Sequence, residues 1–252
     1  MNRILFTLTL ATMLASLATA QDNKTAPSVT LRTNTQTISA QPASGSATLG
    51  KPPRIPSFCP PSDCLYYAGD FDSSASNANG LFNADDTGAG EEGQVWVGVK
   101  PDHDVSVTGA TFVQFVSTGF GLTNPTPFVV QVGIKPGQAG QTVCNTNGTA
   151  TLQIECENFG YSQCAITIDH LAKSCKLKKD QVYYVNMLPT SSDGYSYVVN
   201  VTDKHPKHHY GWKNDLNDCY FNGAVFGDDY VTCNSQGAFP ELSIALTGKN
   251  TK

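Results

Sequence analysis

The chain is poor in charge. Only 15% of its 252 residues are charged, and the formal net charge is −5. At that net charge, bulk attraction to nucleic acid or to an anionic membrane is not expected. It lacks G-x-S-x-G, H-E-x-x-H, a P-loop, a dinucleotide fingerprint and S-x-x-K with its partners. No short signature therefore ties a nucleophile or a phosphate cradle to particular residues. It lacks a C-x2-C pair, which argues against a zinc knuckle. After residue 20 no apolar run is long enough to span a membrane. A sustained helical period is also missing. Glu91-Glu92 and Asp228-Asp229 are adjacent pairs, so on strands their side chains point to opposite faces. They do not mark the two facing carboxylates of a glycosidase.

What is present is turn chemistry. With 22 Gly and 14 Pro, the composition suits a turn-rich β protein. Residues 1–20 read as a signal peptide: Arg3, an apolar run from Ile4 to Leu17, then Ala18-Thr19-Ala20 as a cleavage site. Residues 21–57 are rich in Thr, Ser, Ala, Gln and Pro and read as a disordered linker or stalk. Residues 58–252 read as one domain. All eight cysteines follow the signal: Cys59, Cys64, Cys144, Cys156, Cys164, Cys175, Cys219 and Cys233. An even set in an exported chain implies disulfides. Spacing leaves the connectivity open; a local scheme pairs Cys59–Cys64, Cys144–Cys175, Cys156–Cys164 and Cys219–Cys233.

Alternation places the strands. They are predicted at Leu65–Phe71, Gly93–Lys100, Asp104–Ser117 and Phe128–Lys135, with Ile134 inward and a bulge at Gly109. Thr149–Cys156 and Cys164–Ile168 should form a hairpin. Gln181–Leu188 and Tyr195–Thr202, joined at Asp193-Gly194, should form another. Glu241–Gly248 closes the fold, and His170–Lys179 suggests one helical turn. The fold class is all-β: a disulfide-containing β-sandwich, jelly-roll-like, behind a disordered N-terminal segment.

The stretch AGDFDSSASNANGLFNADDT, Ala68 to Thr87, concentrates oxygen ligands. Asp70, Asp72, Asn77, Asn79, Asn83, Asp85 and Asp86 are the candidate ligands of a structural Ca²⁺. Ala75 stands where an EF-hand would begin with Asp, so this is not a sensor loop. The same residues are preferred turn formers, and the turn reading carries more weight. His205, His208 and His209 lie among Lys204, Lys207 and Lys213, which favours a solvated basic loop over a metal site. For a sugar ligand the candidate stacking residues are Tyr210, Trp212 and Tyr220, with Trp96, Tyr161 and Tyr230 behind them. Asn23, Asn147 and Asn200 head N-x-S/T sequons, which matter only in a eukaryotic secretory pathway.

Four motifs resemble, in order, exported bacterial β-sandwich domains of unassigned activity. They are the GDxD…NANGLxN loop (Gly69–Asp72, Asn77–Asn83) and V-x-V-T-G at Val105–Gly109. A Tyr/Val-rich strand from Leu177 to Val185 and N-G-x-x-F-G at Asn222–Gly227 follow. The likeness covers about Leu65 to Gly248; the cysteines and the basic loop depart from it. It implies a sandwich, export and surface anchoring, and no catalytic residues. The expected function is that of an exported, non-enzymatic module binding a surface glycan or protein. The alternatives are a polysaccharide-binding module and, behind it, a secreted hydrolase.

Overall fold

The computed structural model describes residues 59–60, 62–70, 80–117, 119–158, 161–201, 209–212, 219–223, 227–233 and 241–251. The predicted signal peptide and linker lie outside the described residues, as does the basic loop up to His208. Within them the regular elements are strands, with no α-helix. Eighteen strands follow one another. The first five are β1 Cys64–Tyr67, β2 Gly80–Phe82, β3 Ala84–Asp86, β4 Glu91–Val99 and β5 Val105–Ser117. Then come β6 Leu122–Thr123, β7 Thr126–Val132, β8 Thr142–Asn158, β9 Tyr161–Leu171 and β10 Cys175–Leu177. β11 is Tyr183–Met187, β12 Thr190–Ser191, β13 Ser196–Val201 and β14 Tyr210–Gly211. The last are β15 Cys219–Gly223, β16 Asp228–Thr232, β17 Glu241–Leu242 and β18 Ile244–Asn250.

Pairing arranges these into two layers. One runs β16–β15–β4–β11–β7–β8. The other runs β8–β9–β5–β18–β1–β14, with β13 beside the far end of β5. β8 belongs to both: its start pairs β7, its remainder pairs β9, and the register shifts between Gly148 and Ala150. Alternating residues of both layers fill one core. Val95, Val97, Phe128, Val130, Val185 and Met187 face Phe112, Ile166, Ile168, Val198 and Leu246. The disulfide-containing β-sandwich is thus the observed architecture.

Three disulfides brace it: Cys59–Cys64, Cys144–Cys175 and Cys219–Cys233. Cys144 sits opposite Val130 in one layer, and Cys175 opposite Val107 in the other. That bridge cross-links the layers. Cys164 is buried in β9 opposite Ile154, next to the register pair Cys156–Gln163. The Cys156 side chain, and so the fourth predicted bridge, lies outside the described residues.

Three local expectations are corrected. β11 and β13 do not form a hairpin. β11 pairs β4 and β7, while β13 pairs β2, β5 and β17. The chain crosses between layers at Asp193-Gly194, because each strand is apolar enough to be flanked by other strands. Ile134 is not inward: β7 stops at Val132, Gly133 takes a positive φ, and Ile134 is 89% exposed. Residues 175–177 form β10 rather than a helical turn, drawn into the sheet by pairing with β5. The bulge predicted at Gly109 is present: Thr247 pairs Gly109 and Gly248 pairs Val107, which leaves Thr108 as the extra residue on β5.

Candidate functional site

The pairing of β1 with β14 on one side and β18 on the other builds a cleft. Tyr67 sits opposite Tyr210, and Tyr66 opposite both Gly211 and Leu246. β14 approaches β1 closely because residue 211 is glycine. Its φ is +87°, and a Cβ there would lie 2.0 Å from the Leu65 carbonyl oxygen. At its far end β18 runs along β5, with Asn250 opposite Val105. The Thr251 amide then donates to the Asp104 carbonyl at 2.7 Å. This sets Lys249 and Asn250 beside the turn that carries Asp102 and His103. The turn before β1 closes the cleft through the Gly248 amide, which donates to the Asp63 carbonyl at 2.7 Å. The enclosed volume is about 420 Å³.

The walls are mostly polar. Asp63, Asp102, His103, Lys249 and Asn250 line it with the Tyr210 ring. Tyr210 is 41% exposed, one of the exposed large apolar side chains. His103 Nδ1 lies 2.7 Å from an Asp102 carboxylate oxygen. Both side chains are well exposed, 64% and 57%. A hydrogen bond in water is worth little, so the pair orients the imidazole weakly. The turn itself is held from behind. Asp104 accepts from Lys178 Nζ and from the Lys179 amide, both at 2.8 Å. Those contacts hold the Asp104 carboxyl below the usual carboxylate range and push Lys178 up.

The three predicted stacking residues separate. Tyr210 faces the cleft. Trp212 lines the cleft but is only 3% exposed, with its face stacked on Tyr66 at 5.6 Å and 11°. It supports the strand that carries Tyr210 rather than offering a face to a ligand. Tyr220 lies in the other layer, on β15 opposite Trp96, with Tyr184 edge-on at 5.4 Å. Trp96, Tyr184, Tyr220 and Tyr230 form an aromatic row there, roofed by residues 133–138. Tyr184 Oη donates to the Ile134 carbonyl at 2.5 Å, and Lys135 Nζ stands 5.9 Å from the Tyr220 ring centre. Gly137 packs so tightly on Tyr230 that a Cβ would lie 2.4 Å from its ring. That row is a covered surface.

The acidic stretch also divides. Asp72, Asn77 and Asn79 lie outside the described residues. Asp70 accepts from Tyr67 Oη at 2.7 Å. Asn83 is fully buried: its Nδ2 donates to the Met187 carbonyl at 2.8 Å, and its Oδ1 accepts from the Val95 amide at 2.9 Å. Asn186 Nδ2 donates to the same oxygen at 3.2 Å. Asp86 folds back to accept from the Gly88 and Ala89 amides at 3.0 and 3.1 Å. Asp85 sits opposite Glu92. Burial first, then Glu92 and Asp86, push its carboxyl pKa up. Among the described residues no group of three or more His, Cys, Asp or Glu is placed to hold a metal ion.

Asp63, Asp102, His103, Lys249 and Asn250 were not candidates from sequence. They stand far apart in the chain, and only the register of β1, β14 and β18 joins them. The one local signal was a histidine set between two aspartates in the turn 101–104. No protein-family model, curated protein or solved structure matches the chain. Fold and site therefore define its class: a disulfide-braced all-β sandwich with a polar cleft at one edge. No helix of the described residues is long and apolar enough to cross a membrane.

Proposed function

We propose that the chain is an exported, non-enzymatic binding module whose cleft takes a neutral sugar ring of a surface polysaccharide. One observation carries this reading. Tyr210, 41% exposed, stands over a cleft of about 420 Å³ whose other walls are mainly hydrogen-bonding groups. That volume falls within the roughly 300–1,000 Å³ of small-ligand pockets. A pyranose has an apolar C–H face and a rim of hydroxyls. Tyrosine stacks on the first, and carboxylate, amide and imidazole groups pair with the second. Two carboxylates against one lysine and one histidine leave mixed charge, which selects neither a strong anion nor a strong cation. A protein partner is less well served, because a stable protein interface buries roughly 800 Å² per partner. Export rests on the disulfides, which persist in oxidising compartments.

A glycan array probed with the purified domain tests this. A cluster of related neutral glycans that share a terminal or exposed ring supports the reading. A blank array, or binding confined to sulfated or sialylated glycans, overturns it. A structural Ca²⁺ at the 70–86 connection is a separate proposal, supported by the run of oxygen-bearing residues Asp70, Asp72, Asn77 and Asn79 in the sequence.

A further inference from the structure

β8 alternates without interruption along its outer edge. Val143, Asn145, Asn147, Thr149, Thr151 and Gln153 are all exposed. Cys144, Thr146, Gly148 and Ala150 between them are buried. Residues two apart on a strand share a face. Asn147 and Thr149 therefore stand together on the outer face, and Asn147-Gly148-Thr149 is an N-x-T sequon. We propose that Asn147 is an N-glycan acceptor when the chain passes through a secretory pathway that supplies lipid-linked oligosaccharide.

The transfer balances simply. Asn147 Nδ2 forms a bond to the anomeric carbon of an oligosaccharide carried on a lipid pyrophosphate. The carbon–oxygen bond to the pyrophosphate breaks, and the lipid pyrophosphate leaves with the electron pair. One amide proton passes to a base of the transferase.

Three features of the fold accommodate the product. The backbone at Asn147 is anchored: its carbonyl accepts from the Ala172 amide at 2.7 Å, and it pairs with Pro127. A bulky group on the side chain therefore leaves the core in place. Val143, 48% exposed, lies on the same face four residues away. At about 3.3 Å per residue that is about 13 Å, within reach of the first sugars, which would cover it. The acceptor is also remote from the cleft. β9, β5 and β18 separate β8 from β1, so four steps of about 4.8 Å set the two edges about 19 Å apart. The sequon at Asn200, by contrast, lies on β13 between the buried Val199 and Val201.

The experiment expresses the full chain in a eukaryotic secretory cell line. The secreted protein is treated with an amidase that releases N-glycans in heavy-oxygen water, and its peptides are mapped by mass spectrometry. We expect heavy-oxygen aspartate at position 147. Asn147→Gln and Thr149→Ala should each abolish it, and Thr149→Ser should retain it. An unlabelled Asn147 in the secreted wild-type chain overturns the proposal. So does label confined to Asn23 or Asn200, and the wild-type map decides even where a variant is not secreted.

Discussion

Asn83 is where the oxygen-rich stretch turns into structure. Its amide joins the carbonyl of Met187 to the amide of Val95, and Asn186 seals the same oxygen. Removing it strands buried backbone groups, each costing about 1–3 kcal/mol. Asn83→Ala should therefore destabilise the domain by about 2–4 kcal/mol in urea unfolding, and a loss under about 0.5 kcal/mol would contradict the clamp. Asp85 behaves oppositely. Its raised pKa means that the folded state disfavours its charge. Ionised Asp85 costs stability at neutral pH, and the cost disappears as pH falls through the raised pKa. Like charges opposite one another on paired strands cost about 0.2–1 kcal/mol. Asp85→Asn should thus raise Tm by about 1–2 °C at pH 7, and not at all in acid where the carboxyl is protonated. A lower Tm at pH 7 would point to a favourable role for the charge, such as an ion ligand. Asp104 has the reverse sign. Its depressed pKa means that its bonds to Lys178 and Lys179 hold at neutral pH and are lost as pH falls below the usual carboxylate range.

The elements divide into those legible from pattern and those decided by partners. Val95, Val97 and Val99 alternate with Trp96, and that alone places β4 and its buried face. The disulfide pairs Cys59–Cys64, Cys144–Cys175 and Cys219–Cys233 form as local spacing suggested. The connection from Met187 to Ser196 was misread, because an Asp-Gly turn serves a fold-back and a crossing between layers equally well. Ile134 continued the alternation of β7 on paper, but glycine at 133 ends the strand one pair earlier. The cross-layer bridge closes a separation of 31 residues. In the chain-entropy account its loss should cost about 3–4 kcal/mol. Replacing Cys144 and Cys175 together by serine and following urea unfolding checks this; an unchanged midpoint would mean that the layers do not rely on the bridge. Gly211→Ala should separate β14 from β1 and weaken ligand binding more than overall stability.

The whole molecule is a single core with different tasks at its edges. Both layers share one packed core, and the proposed binding site is the surface cleft where β1, β14 and β18 meet. That cleft was legible only through Tyr210 and its neighbour Trp212. Its polar walls come from residues near 63, 102 and 250, and no local pattern joins positions so far apart. If the 70–86 connection holds Ca²⁺, EDTA should lower Tm and added Ca²⁺ should restore it; an unmoved Tm removes the ion from the account. The most direct measurement of the central claim is a calorimetric titration of the array's best glycan. It compares the wild-type domain with Tyr210→Ala and with Tyr220→Ala. The account predicts that Tyr210→Ala weakens binding about tenfold or more, in line with about 1–3 kcal/mol for one stacking aromatic, while Tyr220→Ala binds like wild type. Binding that survives in Tyr210→Ala and fails in Tyr220→Ala would contradict it and move the site to the aromatic row under residues 133–138.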